Sequence, residues 1–539
     1  MDCEINIGSI RALDEQIREH ERATTKLKRA RNSLLNVSTL PPEVLGNIFR
    51  WNVIPKDDFD GLEEGSHNFL VVCHHWLEVA SRTPELWSFW GNNPKDWARW
   101  YRRSGTAPLD LVLGGYGYDG RYFNAALRDA LEDHAAKNTI RCVHLAAGSI
   151  GLVKSILDLL TPDCEDPQSN DIESFVLCNQ SKAALDVSDL FAHNRFPKLQ
   201  RLRLSNCSIS SWAHLTSQTS VLTTLKLDFT HPSPTPSPTP TIYQLLSILS
   251  TNPALRKVAL LRRAVPDDDG GDKSSSRVQL RHLKGLYLNG GLRHVFNLLQ
   301  RLDHPRKMDT LSLTLHDCGD VDISQIVGPY LRDHLQRRGR AQHGLNLFAS
   351  SGYRTYRAPH VAFRVGNADG DNFSDPAQLE IGTFVEITML LIGKHQNARE
   401  RAILDLIGCT PREEVVYFKS NNPIATEDTC TQFPNVRALS FDGVALSAAL
   451  PNPNVPGEGK IFPSLEHVSL ENLDEDDWDP LATFLASRVS CGNRLDTLVI
   501  NDSQNMPPEV VDDIRGMVRE LKIDNDNTLL RRIFTSPEP

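Results

Sequence analysis

The sequence predicts an α+β chain that passes into an α/β solenoid: a three-helix N-terminal module, then a curved array of parallel strands with returning helices. Three observations predict it. Helix signals crowd the first ninety residues. From Ile140 onward a spacing of the form Leu-x-x-Leu-x-Leu recurs every 23 to 33 residues until Met308, and again from Val436. The chain has 539 residues, too many for one ordinary core but suited to several domains or an extended array.

Composition narrows the class. Hydrophobic residues make up 40% and charged residues 23%, as in globular proteins rather than disordered ones. The net charge of −10 argues against a broad basic surface for nucleic acid. No basic segment followed by an apolar stretch opens the chain, so a secretory signal is not expected. The best candidate for a membrane helix, Phe384 to Ile392, contains Glu386 and falls short of the roughly 20 residues such a helix needs. Ten cysteines are scattered without a Cys-x-x-Cys pair, and read as reduced thiols. These features predict a cytoplasmic or nuclear protein with neither membrane nor nucleic acid as partner.

Residues 1–38 read as a charged amphipathic helix. Ile10, Leu13, Ile17, Leu27 and Leu34 share one 3-4 register, which His20, Thr24 and Arg31 break. Two readings fit: a coiled coil, or a solvated helix folded back on the next domain.

Residues 39–90 carry the strongest signal. Pro41 and Pro42 suit a first helical turn, where a missing N–H costs nothing, and Glu43 sits where the helix dipole favours an anion. Val44, Leu45, Ile48 and Phe49 follow on one face. The polar spacer from Pro55 to His67 predicts a surface loop. A second helix places Leu70, Cys73, Leu77 and Ala80 on a common face with Trp76 at its edge. Thr83 is expected to cap a third short helix that starts at Pro84 and turns Leu86, Trp87 and Trp90 inward. Three short helices have little core of their own. Their apolar surface predicts either a partner or packing within the larger chain.

The pattern Leu40-Pro41-Pro42-Glu43, Leu45, Ile48-Phe49, then Val72-Cys73, Trp76 and Ala80, then Thr83-Pro84, Leu86-Trp87 resembles the F-box in the form common in mushroom-type fungi. The match in order, spacing and type extends over about 50 residues. The resemblance implies that this segment binds the Skp-type adaptor of an SCF ubiquitin ligase, and through it a cullin scaffold. Carried over by position, the adaptor-binding residues are Leu40, Pro41, Leu45, Ile48, Val72, Cys73 and Trp76. One departure matters: His74 and His75 stand where the family usually has Arg or Lys, and histidine is mostly neutral at pH 7.

After linker helices over 91–135, residues 136–510 resemble a degenerate leucine-rich repeat. The best copy joins Leu199, Leu202, Leu204, Cys207 and Ile209. Others are Ile140/Val143/Leu145, Ile172/Phe175/Leu177, Leu222/Leu225/Leu227, Leu255/Val258/Leu260, Leu283/Leu286/Leu288 and Met308/Leu311/Leu313. After a gap come Val436/Leu439/Phe441, Leu465/Val468/Leu470 and Leu495/Leu498/Ile500. A short strand with two inward apolar residues cannot bury them alone, whereas stacked copies bury them together. Helical returns are visible at Ile242 to Leu249 and Pro480 to Val489. The gap holds an irregular insertion around 330–410, where Val361/Phe363/Val365 and Val416/Phe418 are candidate worn strands. A separate α/β domain there is the competing reading. Residues 511–539 are expected to form a C-terminal helix and tail.

If the strands line a concave face, the residue between each inward pair points outward: His144, Val176, Arg203, Lys226, Ala259, Tyr287, Ser312, Ser440, Ser469 and Val499. This set has no arginine cluster of the kind that reads phosphorylated motifs. The loop His231 to Thr241 (HPSPTPSPTPT) is expected to be extended. It is either a set of proline-directed kinase sites or an unselected surface loop.

No enzyme is predicted. The chain lacks GxGxxG, GxxxxGK[ST], HExxH and GxSxG. The acidic run Asn367 to Asp371 has Asn372 and Gln378 where a calcium loop needs Gly and Glu. His316 and Cys318 form a chance-level Cys-His pair. No catalytic residue, cofactor or metal is assigned. The expected function is a substrate receptor of an SCF ubiquitin ligase, holding an unknown protein target on its repeats. The alternative is a non-catalytic scaffold whose F-box is a structural remnant.

Overall fold

The structure, a computed structural model, describes residues 2–53, 68–90, 97–114, 128–129, 131–133, 140–147, 150–160, 171–181, 185–216, 221–229, 239–267, 277–305, 308–316, 323–337, 343–350, 360–368, 381–390, 404–410, 412–420, 431–442, 462–501 and 507–524. The spacer 55–67, most of the 231–241 loop, and the segments around 268–276 and 369–380 lie outside these residues. The chain forms two compact units, residues 1–219 with 231–238, and 220–230 with 239–539. The boundary falls inside the span 136–510, and each unit carries its own run of parallel strands.

The first unit opens with α1 (Asp2–Ser33), a continuous helix as expected for a segment with no proline. Then come α2 (Pro42–Val53), a 3-10 turn at Asn68–Val71, α3 (His74–Ser81) and a 3-10 turn at Pro84–Leu86. The Pro41 carbonyl accepts from Val44 and Leu45 at 3.0 and 3.1 Å, closing the first turn of α2. Thr83 precedes Pro84 as expected, but its side chain does not cap: the hydroxyl donates back to the Val79 carbonyl at 2.9 Å. It also meets α2 closely, since a Cβ at Gly46 would stand 3.1 Å from Thr83 Oγ1.

Strand β1 (Phe89–Trp90) follows, then α4 (Trp97–Ser104), β2 (Leu109–Gly114), β3 (Ile140–Ala147), α5 (Ile150–Leu160), β4 (Ser174–Asn179) and β5 (Arg201–Ser205). All neighbours pair in parallel, in chain order. The sheet therefore starts at Phe89, ahead of residue 136, and the segment expected to be linker helices holds a strand. Leu111, Val143, Phe175 and Leu202 are directly opposite one another, as are Leu113, Leu145, Leu177 and Leu204, and all are buried. At roughly 1.5–3 kcal/mol for each buried side chain of this size, these two rows are the main source of cohesion. Where the two strands end, the Asn179 amide donates to the Asn206 carbonyl at 2.9 Å and the Asn206 amide to the Asn179 carbonyl at 3.1 Å.

The second unit holds β6 (Thr224–Phe229), α6 (Ile242–Thr251), β7 (Lys257–Arg262), β8 (Gly285–Gly291), α7 (Leu292–Gln300), β9 (Thr310–His316) and α8 (Ile323–Arg337). It continues with β10 (His343–Ser350), β11 (His360–Ala368), β12 (Ile381–Leu390), β13 (Val415–Ser420), β14 (Ala438–Asp442), β15 (His467–Glu471), α9 (Trp478–Ser490), β16 (Thr497–Asn501), α10 (Pro508–Met517) and β17 (Glu520–Asp524). Strands β6 to β9 pair in parallel, as do β13 to β17. The helical returns expected from Ile242 and Pro480 are α6 and α9. The first is sealed by a capping box between Thr241 and Gln244. The expected C-terminal helix is α10, but a further strand follows it.

The insertion joins the two runs rather than separating them. Next to β9 lies β12, parallel to it; β11 pairs antiparallel with β12 and with β10; β10 then pairs in parallel with β13. Spatial order is thus β9, β12, β11, β10, β13, and only β11 is reversed. Strand entry is built the same way in both units. Two successive N–H groups donate to one carbonyl of the preceding copy: Gln200 and Arg201 to Glu173, Arg256 and Lys257 to Thr223, Lys284 and Gly285 to Arg256, and Asp496 and Thr497 to Glu466, all at 2.7–3.2 Å. This recurring backbone device holds each inward pair in register with its neighbours. No helix among the described residues is long and apolar enough to cross a membrane.

The residues between the inward pairs are largely covered. His144, Lys226, Ala259, Ser440, Ser469 and Val499 are buried, and Val176, Arg203, Tyr287 and Ser312 are half-buried. Polar groups on this side bond to one another across strands. His144 Nε2 lies 2.9 Å from Ser174 Oγ, and His316 Nε2 lies 2.5 Å from Asn289 Oδ1. Close parallel strands, about 4.8 Å apart, let such side chains cover their neighbours.

Candidate docking face of the helical module

The helical module packs as one core with the start of the sheet. Leu45 and Phe49 of α2, Phe69, Val79 and Ala80 of α3, Leu86 and Trp87 are buried together with Phe89 of β1 and Val112 of β2. Phe49 is the hub: its ring stacks on Phe69 at 4.4 Å and meets Trp76 at 5.1 Å between centroids. The Trp87 indole donates to the Ala80 carbonyl at 2.7 Å, and the Arg103 guanidinium lies 4.3 Å over its ring. Burial of a large aromatic with its N–H satisfied adds stability without an orphaned donor. The sheet thus supplies the apolar area that three short helices lack.

That core leaves a second apolar set uncovered. Val44, Ile48 and Trp51 stand at i, i+4 and i+7 on the outer side of α2, and Trp51 is 81% exposed. Val71 and Val72, in the turn before α3, are 85% and 55% exposed. Both elements are held together from beneath by Phe49, Phe69 and Trp76. Large apolar side chains concentrated in this way mark docking surfaces.

The residues singled out by sequence divide between surface and core. Pro41, Ile48 and Val72 are exposed, and Leu40 and Cys73 are half-buried. Trp76 is half-buried against Phe49. Leu45 is fully buried, so it supports the face from below instead of belonging to it. Trp51 and Val71 were missed. Extending the i, i+4 spacing from Val44 and Ile48 by three residues finds Trp51, whereas Val71 lies in a turn with no period to read.

The helix α1 presents Ile10, Leu13, Ile17 and Leu27 to solvent, and Leu34 just past its end is exposed too, so this register is uncovered in the chain itself. Among the described residues, no group of three or more His, Cys, Asp or Glu is placed to hold a metal ion. Burial, reinforced by Asp110, pushes the Cys142 thiol far up, and burial does the same to Cys207; protonated thiols are poor nucleophiles. His316 is engaged with Asn289, and the neighbouring Cys318 lies outside the described residues. No protein-family model matches the chain, and no curated protein matches it at a significant level.

Proposed function

We propose that the chain is a substrate-recognition subunit of an SCF-type ubiquitin ligase. Residues 39–90 act as an F-box that docks on a Skp-type adaptor, and through it on a cullin scaffold. The strand array acts as a leucine-rich-repeat-like solenoid that presents a protein target. The chain contributes no catalytic residue; it works by proximity, with the chemistry done by other subunits. It operates in the cytoplasm or nucleus. The observation that supports this reading is the uncovered apolar set Val44, Ile48, Trp51, Val71 and Val72, on the segment whose sequence resembles an F-box.

A second reading has an observation of its own. Phe89 and Val112 share the core of the helical module, so the module also caps the first strands of the sheet. On that reading the chain is a protein-binding scaffold and the F-box a structural remnant.

Retention of a purified Skp-type adaptor by the full chain separates the two. Ile48→Asp with Val72→Asp alters exposed positions and leaves the core intact. Retention by wild type and loss by the folded double variant supports the ligase reading. No retention by wild type leaves the scaffold.

A further inference from the structure

Helix α1 runs for 32 residues and, at about 1.5 Å per residue, spans about 48 Å. Every residue from Ser9 to Arg31 is exposed. We infer that α1 is the interface of a homodimer, in which two copies of this helix pack antiparallel. Ile10, Leu13, Ile17 and Leu27, with Leu34 in the turn that follows, form one stripe at the 3-4 spacing of a coiled-coil seam. A stripe this narrow fits another helix rather than a broad apolar surface.

The charges select a second copy of α1 as that helix. Residues 9–21 hold four acids and two arginines, a net charge of −2, whereas residues 22–32 hold five basic residues and no acid, a net charge of +5. The helix is thus complementary to its own reverse. The helix dipole favours such a bias only within the first and last turns, and Asp14, Glu21 and Arg22 stand in the middle of α1. One edge of the stripe is more specific still. Asp14, Glu21 and Lys28 each follow a stripe position by one residue and stand seven apart. None of the three makes an ion pair among the described residues, whereas Glu15 is engaged by Arg18 at 2.9 Å and by Arg22 at 3.8 Å. Reversing one of two facing helices brings this edge against itself, so Lys28 of each copy runs alongside Asp14 and Glu21 of the other. Near the two-fold axis the two Glu21 carboxylates are each flanked by Lys28 of the other copy. In a parallel pair the edge would face Ser9, Gln16, Ala23 and Ala30, which carry no charge, and Arg31 would meet Arg31.

The antiparallel register also sorts the seam. With Ile17 opposite Leu27 of the second copy, Ile10 falls opposite Leu34 and His20 opposite Thr24. Apolar then meets apolar and polar meets polar, while the methylene stem of Arg31 covers Leu13. Polar residues in a seam fix its register at a cost in stability, so the dimer is expected to form at micromolar concentration.

Sedimentation equilibrium of the full chain across the micromolar range tests the inference, with circular dichroism to check folding. Wild type is expected to approach twice its monomer mass. Ile17→Asp with Leu27→Asp, both at exposed positions, should hold the chain at monomer mass. Lys28→Glu makes the edge wholly acidic and should weaken association about tenfold or more. Adding Asp14→Lys and Glu21→Lys inverts the whole edge and should restore it. A monomeric wild type overturns the inference, as does a dimer that survives Ile17→Asp with Leu27→Asp. A dimer indifferent to Lys28→Glu, or one that the inverted edge fails to restore, overturns the antiparallel arrangement. The stripe lies ahead of residues 39–90, so the outcome is independent of the ligase reading.

Discussion

Lys419 and Glu471 pair at 3.5 Å diagonally across an intervening strand: Lys419 stands on β13 opposite Ser440 of β14, and Glu471 on β15 opposite Asp442 of β14. Two strand spacings are about 9.6 Å, so the lysine stem must extend across β14, starting beside Ser440, to reach. Ser440 and its neighbour Ser469 are buried beneath, their hydroxyls without hydrogen-bond partners. Small side chains at these positions make room for the strut. Ser440→Leu should overpack this layer and cost about 1–3 kcal/mol in urea unfolding. Lys419→Met, at a partly exposed pair, should cost under about 1 kcal/mol. A larger loss from Lys419→Met than from Ser440→Leu would show that the ion pair, not the space, matters.

The reciprocal amide bonds of Asn179 and Asn206 rest on a left-handed backbone at Asn206, with φ of 55°. Asn206→Ala removes the bond that its own amide donates, keeps the carbonyl that Asn179 donates to, and forces an alanine into that conformation, for a loss of about 1–3 kcal/mol. Asn206→Gly relieves the backbone part and should be the milder of the two. Chemical denaturation of the two variants side by side checks the order.

Arg488 is buried and donates to three backbone carbonyls: Asn493 at 3.2 Å, Phe462 at 3.0 Å and Leu465 at 2.8 Å. Phe462 itself has φ of 48°, so the guanidinium pins a strained entry to β15. Arg488→Met fills the volume but leaves buried acceptors, and should cost about 2–3 kcal/mol. Unchanged stability would mean that water replaces the guanidinium.

Burial holds the His467 imidazole below its ordinary value of 6.5, against an opposing pull from Glu466 and Asp496. Protonation therefore favours the unfolded chain. The stability that neutral His467 contributes is complete above about pH 6.5 and is lost as pH falls through the lower folded value. Compared with His467→Gln, wild type should lose stability more steeply between pH 7.5 and 5. Parallel thermal melts across that range read the difference. A steeper loss in the variant would make Glu466 and Asp496 the dominant neighbours.

The inward rows were legible because their signal is local. Val143 with Leu145, or Leu286 with Leu288, announces a buried strand within six residues, and a Pro or a cap then announces the return. The reversal of β11 was not legible. Its alternation, Val361/Phe363/Val365, has the same period as its parallel neighbours, and a period of two carries no direction. The burial of the opposite face was hidden for a different reason. Contacts such as Lys419 with Glu471, or His144 with Ser174, join separate copies of the repeat and lie outside any local window. At the docking face, the spacing placed Val44, Leu45, Ile48 and Phe49 on one side of α2. Which edge of that side turned inward was decided by Phe69, from the turn before α3, and by Trp76 of α3.

The spatial order β9, β12, β11, β10, β13 sets a timetable for a chain emerging from the ribosome. From β7 to β9 each new strand finds its neighbour already waiting. The next strand made, β10, cannot attach there; the exposed edge of β9 stays vacant until Ile381–Leu390 arrives, after a hairpin has formed on its own. Strand-by-strand growth stops once, and restarts only when a meander of three strands inserts as a block. That interval leaves an unpaired edge open to other chains, so the nascent protein is most exposed to aggregation midway through its own synthesis.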